Sequence, residues 1–265
     1  MDWQRVIWGR FSWGRLLRLP LIVYGGLLLV AVFLSDLLIF PYRGCSYTET
    51  LRGLEILEGH EGERLAITYQ KAPQERYLAL YFHGNAEDLG DVIAVTYELL
   101  QRGISVLAMD YPGYGLSTGA PTEESCISNA QRLYEHALSL GYTPDQLLIW
   151  GRSIGSGVGM GLADRVACRA VILDSPFKSA FTVRTQIPIV PFDKFPNLTR
   201  VQQLQTPLFI LHGSKDRTIP PAHSARLYEA HPGPKARYVI DGASHNDLWS
   251  FDLTAEWQAL FEFIK

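Results

Sequence analysis

Gly151-Arg152-Ser153-Ile154-Gly155 sets a serine between two glycines, after the apolar run Leu147 to Trp150 and ahead of the glycine-rich stretch Ile154 to Ala163. G-x-S-x-G between a strand and a helix predicts a sharp turn that strains Ser153, with glycine leaving room for the chain on either side. Read blandly, the same residues form an ordinary turn whose glycines serve only close packing. A serine hydroxyl is a poor nucleophile at neutral pH, so acyl transfer needs a base to take its proton and an acid to orient that base. In a strand–turn–helix setting the acid and then the base follow the serine along the chain.

His212, His223, His231 and His245 follow Ser153. His245 lies in Asp241-Gly242-Ala243-Ser244-His245-Asn246-Asp247, between the last apolar run and the last helix, where a side chain can reach over a sheet edge; it is the expected base. His212 ends a strand, and His223 and His231 belong to a helix and its end. For the acid, His212-Gly213-Ser214-Lys215-Asp216 puts Asp216 in the loop after the penultimate strand, at the edge where catalytic groups gather in open parallel sheets. Asp174, after the strand that follows the nucleophile, competes for the role, and Asp247 is expected to cap the final helix.

A tetrahedral intermediate needs two N–H donors. Ile154, at a helix N-terminus, supplies one, and Phe82-His83-Gly84-Asn85-Ala86 supplies the other from Asn85, with His83 orienting the loop. The histidines show no metal-ligand spacing, and serine chemistry calls for no cofactor.

These residues need a sheet edge to hold them together. Leu65-Tyr69, Tyr77-Phe82, Ile104-Met109, Leu147-Trp150, Ala170-Leu173, Leu208-Leu211 and Tyr238-Ile240 read as strands. Asp88 to Gln101, Glu123 to Leu140, Ile154 to Ala163, Pro221 to Ala230 and Leu248 to Ile264 read as helices. Continuous apolar runs separated by single helices predict parallel crossovers and a three-layer α/β sandwich. Pro176 to Leu204, with Pro188, Pro191 and Pro196 and no clear period, is expected to form a short irregular cap. Its apolar residues Phe177, Phe181, Ile187, Ile189, Val190 and Phe192 would offer walls for one acyl chain, though half of them should simply pack the cap onto the sheet.

The N-terminal end has a different character. Leu19 to Ser35 carries no charge, and Leu37-Leu38-Ile39-Phe40 extends the run past Asp36, so residues 19–40 are expected to form a transmembrane anchor behind a basic, aromatic lead-in, 1–18, with the hydrolytic domain over 41–265. Arg5, Arg10, Arg15 and Arg18 precede the run, and Glu49, Glu55, Glu58, Glu61 and Glu63 follow it, which orients the N-terminus to the cytoplasm and the rest across the membrane. Trp3, Trp8, Phe11 and Trp13 suit the headgroup level. A cleaved signal peptide lacks an Ala-x-Ala site here, and a lipoprotein cysteine at Cys45 would follow Tyr42-Arg43-Gly44, which is too bulky and charged.

Over 265 residues, 24 Lys+Arg stand against 27 Asp+Glu, a formal charge of −3, so no basic field is available for nucleic acid. Three scattered cysteines make neither a disulfide framework nor a zinc cluster. Asn197-Leu198-Thr199 fits a glycosylation sequon, expected by chance.

Taken together, His83-Gly84-Asn85-Ala86, Asp110-Tyr111-Pro112-Gly113-Tyr114-Gly115-Leu116-Ser117, Gly151-Arg152-Ser153-Ile154-Gly155, His212-Gly213-Ser214-Lys215-Asp216 and Ser244-His245-Asn246-Asp247 resemble the α/β-hydrolases, over about Leu51 to Lys265. Asn85-Ala86-Glu87-Asp88-Leu89-Gly90, Phe192-Asp193-Lys194-Phe195-Pro196-Asn197 and Ala243-Ser244-His245-Asn246-Asp247 resemble, within them, the small-lidded membrane-associated hydrolases that include protein depalmitoylases. That resemblance implies a mostly parallel sheet and a serine hydrolase acting on esters or thioesters of long acyl chains, lipid or acyl-protein. The chain departs from the depalmitoylases in having an apolar N-terminal segment with no cysteine before Cys45. Two other readings stay open: a serine peptidase on the same triad, and a non-catalytic hydrolase-fold binding module.

Overall fold

The computed structural model describes residues 13–41, 44–185 and 189–265. The chain divides into two units, one ending at Leu38 and the other spanning Ile39–Lys265.

The first unit holds α1 (Trp13–Phe33) and a turn at Leu34, and the short helix α2 (Ser35–Ile39) ends on the first residue of the second unit. Leu21, Ile22, Leu29 and Phe33 of α1 are exposed. Among the described residues no helix is long and apolar enough to cross a membrane, which corrects the single span expected over 19–40. The helical run stops at Phe33, and Phe40 is a core residue of the second unit, packed edge-on against Tyr111, Tyr114 and Phe195. Trp3, Trp8 and Phe11 lie outside the described residues.

The second unit is built on one eight-stranded sheet: β1 (Leu54–Glu58), β2 (Arg64–Gln70), β3 (Tyr77–Phe82), β4 (Ile104–Met109), β5 (Leu147–Arg152), β6 (Ala170–Asp174), β7 (Leu208–Gly213) and β8 (Lys235–Ile240). Their order is β1-β2-β4-β3-β5-β6-β7-β8, antiparallel at β1–β2 and β2–β4 and parallel from β4 to β8. Every residue of β4, β5 and β7 is buried, as continuous apolar runs demand when both faces are covered. One core, with Leu80, Phe82, Ile149 and Val171, packs on α4 (Glu123–Ser139) and α5 (Ile154–Ala163). The other, with Tyr81, Trp150, Ile172 and Phe209, takes α3 (Ile93–Gln101) and α9 (Thr254–Phe263).

The sheet has one strand more than the apolar runs indicate. β1 is an edge strand that mixes Leu54 and Ile56 with Glu55 and Glu58, so it lacks a continuous apolar signature. α3 starts five residues after the expected Asp88, because the chain there bonds elsewhere: Leu89 N–H donates to Asp110 Oδ1 (2.9 Å), and the Asp88 carboxylate accepts the N–H groups of Ser46 (2.6 Å) and Gly90 (2.9 Å). The last helix is likewise divided into a 3₁₀ turn, Leu248–Ser250, and α9, whose Thr254 N–H is capped by Asp252 Oδ1 at 3.0 Å. Asp247 therefore does not cap α9; its Oδ1 accepts the Ser244 N–H at 2.6 Å.

The cap is more regular than its prolines suggest, with α6 (Ala180–Thr185) and α7 (Asn197–Val201), while Ile187 lies outside the described residues. Phe177, expected as a groove wall, is 2% exposed and meets Phe195 edge-on, so it belongs to the core. Ile189 and Phe192 are exposed, and Phe181 packs on Phe192 with ring centres 6.0 Å apart. α8 (Ala222–Ala230) lies between β7 and β8 in the chain.

Candidate active site

Parallel register brings the loops that matter to one edge. Phe82 pairs with Gly151, Arg152 with Asp174, and Gly213 with Ile240, so the segments after β3, β5, β6, β7 and β8 leave the sheet side by side.

Ser153 occupies the turn between β5 and α5 at φ 52°, ψ −118°, a left-handed value that costs a non-glycine residue energy. Its N–H donates to Asp174 O (2.9 Å), and its carbonyl accepts Ser156 N–H (2.9 Å) and Ser156 Oγ–H (2.6 Å), which hold the strain in place. Gly155 is required by close approach: a Cβ there would stand 2.0 Å from Phe82 O.

His245 Nε2 is 3.0 Å from Ser153 Oγ, and its Nδ1 is 2.7 Å from Asp216 Oδ2. A carboxylate can only accept, so Nδ1 carries the proton and Nε2 is the lone-pair nitrogen facing the serine hydroxyl. Asp216 is 4% exposed, and its Oδ1 accepts the N–H groups of Thr218 (2.9 Å) and Ile219 (2.8 Å). Burial by itself would raise its carboxyl, but hydrogen bonds from His212, His245 and Ile219, with the charge of His245, outweigh that and hold it far below the usual carboxylate range. Asp216 stays ionised throughout the range in which an imidazole exchanges protons.

Asp174 does not touch His245. It is fully buried, accepts Trp249 Nε1–H at 2.8 Å on Oδ2, and faces Arg152 Nε at 3.8 Å. Its backbone holds the serine turn and its side chain holds the segment just after His245.

The N–H groups of Asn85 and Ile154 have no hydrogen-bond partner among the described residues. The Asn85 loop is braced by Tyr114 O–H donating to Asn85 O (2.9 Å), by Tyr111 O–H donating to His83 O (2.6 Å) and by Asn85 Nδ2 donating to Ile39 O (3.1 Å). His83 is fully buried, 4.3 Å from the Tyr111 ring and 3.4 Å from Asp110 Oδ1, a loop-orienting position.

The other histidines have separate tasks. His212 donates Nε2–H to Ile219 O at 2.7 Å and lies 3.4 Å from Asp216 Oδ2, fastening the turn that carries Asp216. Burial, then the charges of Lys178 and His212, push His223 down to about 4 against the pull of Asp216; neutral, its Nδ1 accepts the Lys178 N–H of the cap at 3.2 Å.

Two residues of this region are not singled out by motif reading. Arg152, 8% exposed, ion-pairs with Glu87 and donates Nη2–H to His245 O (3.1 Å) and Asn246 Oδ1 (3.3 Å). Glu87 accepts the Gly84 N–H at 2.7 Å. The available signal was an arginine closing a buried strand, since a buried guanidinium needs a carboxylate.

Residues 73–194 match the model of the family described as serine aminopeptidase, S33. Alpha/beta hydrolase domain-containing protein 17C of Xenopus tropicalis is 35% identical over 202 residues, 73% of this chain and 63% of that protein. Alpha/beta hydrolase domain-containing protein 17B of Homo sapiens is 33% identical over 198 residues, 71% of this chain and 67% of that protein. The chain thus spans somewhat under two thirds of the 17C relative. Among solved structures, Est1E from Butyrivibrio proteoclasticus with ferulic acid bound superposes with a TM-score of 0.64 at 20% identity, over 79% of this chain and 97% of that one. The esterase EaEST from Exiguobacterium antarcticum gives 0.61 at 12%, over 79% and 98%. At such identities these two share the fold alone. With relatives above 30% identity along most of its length, the chain belongs to the α/β-hydrolase superfamily.

Proposed function

We propose that the protein is a membrane-attached serine hydrolase that cleaves carboxylic esters or thioesters of acyl chains through Ser153, His245 and Asp216. The observation that carries this reading is the unbroken run of contacts from Ser153 Oγ to His245 Nε2 and from His245 Nδ1 to Asp216 on a strained turn. Ser153 Oγ attacks the acyl carbonyl as His245 Nε2 takes its proton, and the oxyanion is received by the Ile154 and Asn85 N–H groups. Collapse expels the alcohol or thiol with the proton from His245, leaving an acyl-serine. Water then attacks the acyl-serine with His245 again as base, which releases the acid and restores Ser153. Asp216 remains a carboxylate throughout and stabilises the imidazolium.

The acyl class rests on the resemblance to depalmitoylase-type hydrolases and on the apolar residues exposed by the cap, Ile189 and Phe192. Each methylene buried in such a groove contributes about 0.8 kcal/mol, or nearly fourfold in kcat/KM. On soluble esters, log kcat/KM is expected to climb with acyl length from acetyl and then level off, with little sensitivity to leaving-group bulk. A flat profile, or a preference for acetyl, excludes an acyl groove. The family description favours a second reading, an aminopeptidase on the same triad, which turnover of aminoacyl amides above acyl esters would establish.

Attachment is through the apolar surface of α1. Arg5, Arg10, Arg15 and Arg18 lie before its apolar stretch, where they suit an anionic headgroup surface. Removal of the residues before Ile39 should abolish co-sedimentation with anionic lipid vesicles that retain the full chain. Equal co-sedimentation of the shortened chain would refute attachment through α1.

A further inference from the structure

Arg152 closes β5 beside Ser153 and spreads one guanidinium over both loops that complete the site. Its Nη1 meets Glu87, whose other oxygen accepts the N–H of Gly84, the residue before Asn85. Its Nη2 donates to His245 O at 3.1 Å and Asn246 Oδ1 at 3.3 Å. Its Nε faces Asp174 at 3.8 Å, and Asp174 in turn receives Trp249 Nε1–H at 2.8 Å from the turn just after the base. The seat of the Asn85 loop is tight, since a Cβ on Gly84 would come within 2.8 Å of Glu87 Oε2.

We infer that Arg152 and Glu87 are positioning residues that set the Asn85 N–H and His245 together against Ser153, through one ion pair shared by the two loops. The inference rests on the serine-hydrolase reading of Ser153. Only a planar fork with five N–H groups can bind Glu87, His245 O and Asn246 at once; an ammonium at the end of a lysine is a point charge and must choose. An oxyanion donor stabilises the transition state and not the ground state, so displacing the loop should lower kcat and leave KM nearly unchanged.

The test uses the full chain in detergent with p-nitrophenyl butyrate, and thermal unfolding to establish that each variant is folded. Arg152→Gln and Glu87→Gln should each lower kcat roughly 30-fold, less than the roughly 10²- to 10³-fold lost when an oxyanion donor is removed outright, with KM altered less than about threefold. Because the two act through one contact, the double variant should be no slower than the worse single one. Arg152→Lys should recover less than half of the logarithmic loss. Affinity for an alkyl boronic acid, which captures the serine as a tetrahedral adduct, should fall in parallel with kcat/KM, while affinity for butyrate stays constant. If Arg152→Gln does not fold, the isosteric Glu87→Gln carries the test. Full kcat in a folded Glu87→Gln or Arg152→Gln variant, multiplicative losses in the double variant, or a loss confined to KM overturns the inference and leaves the hydrolase reading intact. An inactive wild type, or an active Ser153→Ala, overturns the hydrolase reading itself.

Discussion

Ser153→Ala is expected to lower turnover of a soluble acyl ester by about 10³-fold or more, and His245→Ala by as much, with the double variant little slower than either. The non-additivity follows from the geometry: His245 Nε2 has no proton to take without Ser153 Oγ, and the hydroxyl 3.0 Å away is not activated without His245. Residual activity would come from the two N–H donors and from binding, which neither substitution touches. The fold should survive, because the strained turn is held by backbone bonds, Ser153 N–H to Asp174 O and Ser156 to Ser153 O, and not by the hydroxyl that is lost. Steady-state kinetics with a fluorophosphonate label check this. Near-normal turnover by a folded Ser153→Ala protein would refute the mechanism.

Asp216→Asn is expected to cost about 10³- to 10⁴-fold in kcat with the fold retained. Oδ1 already receives two backbone N–H groups, from Thr218 and Ile219, so the amide oxygen of an asparagine must take that place and its NH₂ must face His245 Nδ1. Two donors cannot share that contact. The ring then carries its proton on Nε2 instead, where it can no longer accept the serine proton, and no charge remains to stabilise an imidazolium. Asp174→Asn, which touches Trp249 and Arg152 but not His245, should cost about tenfold or less, since its amide oxygen can still accept the Trp249 N–H. Kinetics on both folded variants decide the ranking, and the reverse order would assign the acid role to Asp174.

Ser153 and His245 were legible in the sequence because their signals are local: a glycine-flanked serine after an apolar run, and a histidine in a loop between the last strand and the last helix. The choice between Asp216 and Asp174 was less so, since both follow buried parallel strands. What separates them is the turn from Asp216 to Ile219, whose N–H groups and His212 aim one carboxylate, a feature of three-dimensional hydrogen bonding with no motif of its own. The Arg152–Glu87 pair joins residues 65 apart in the chain, so no window reading could find it. β1 was hidden by its place at the sheet edge, where solvent permits Glu55 and Glu58 among the apolar residues. In the apolar N-terminal run, hydropathy alone did not reveal the break after Phe33 or that Phe40 belongs to the core.

Because Phe40 packs among Tyr111, Tyr114 and Phe195, and Ile39 O receives the Asn85 side chain, the second unit begins at the last residue of α2, two residues before Pro41. A soluble form cut at Pro41, where the apolar run ends, would remove an aromatic ring whose burial contributes about 1.5–3 kcal/mol and would leave the amide of Asn85 without its carbonyl. A cut that spares the second unit therefore falls ahead of Ile39. An N-terminal segment exchanged at the hydropathy boundary would take Ile39 and Phe40 out of the fold with it.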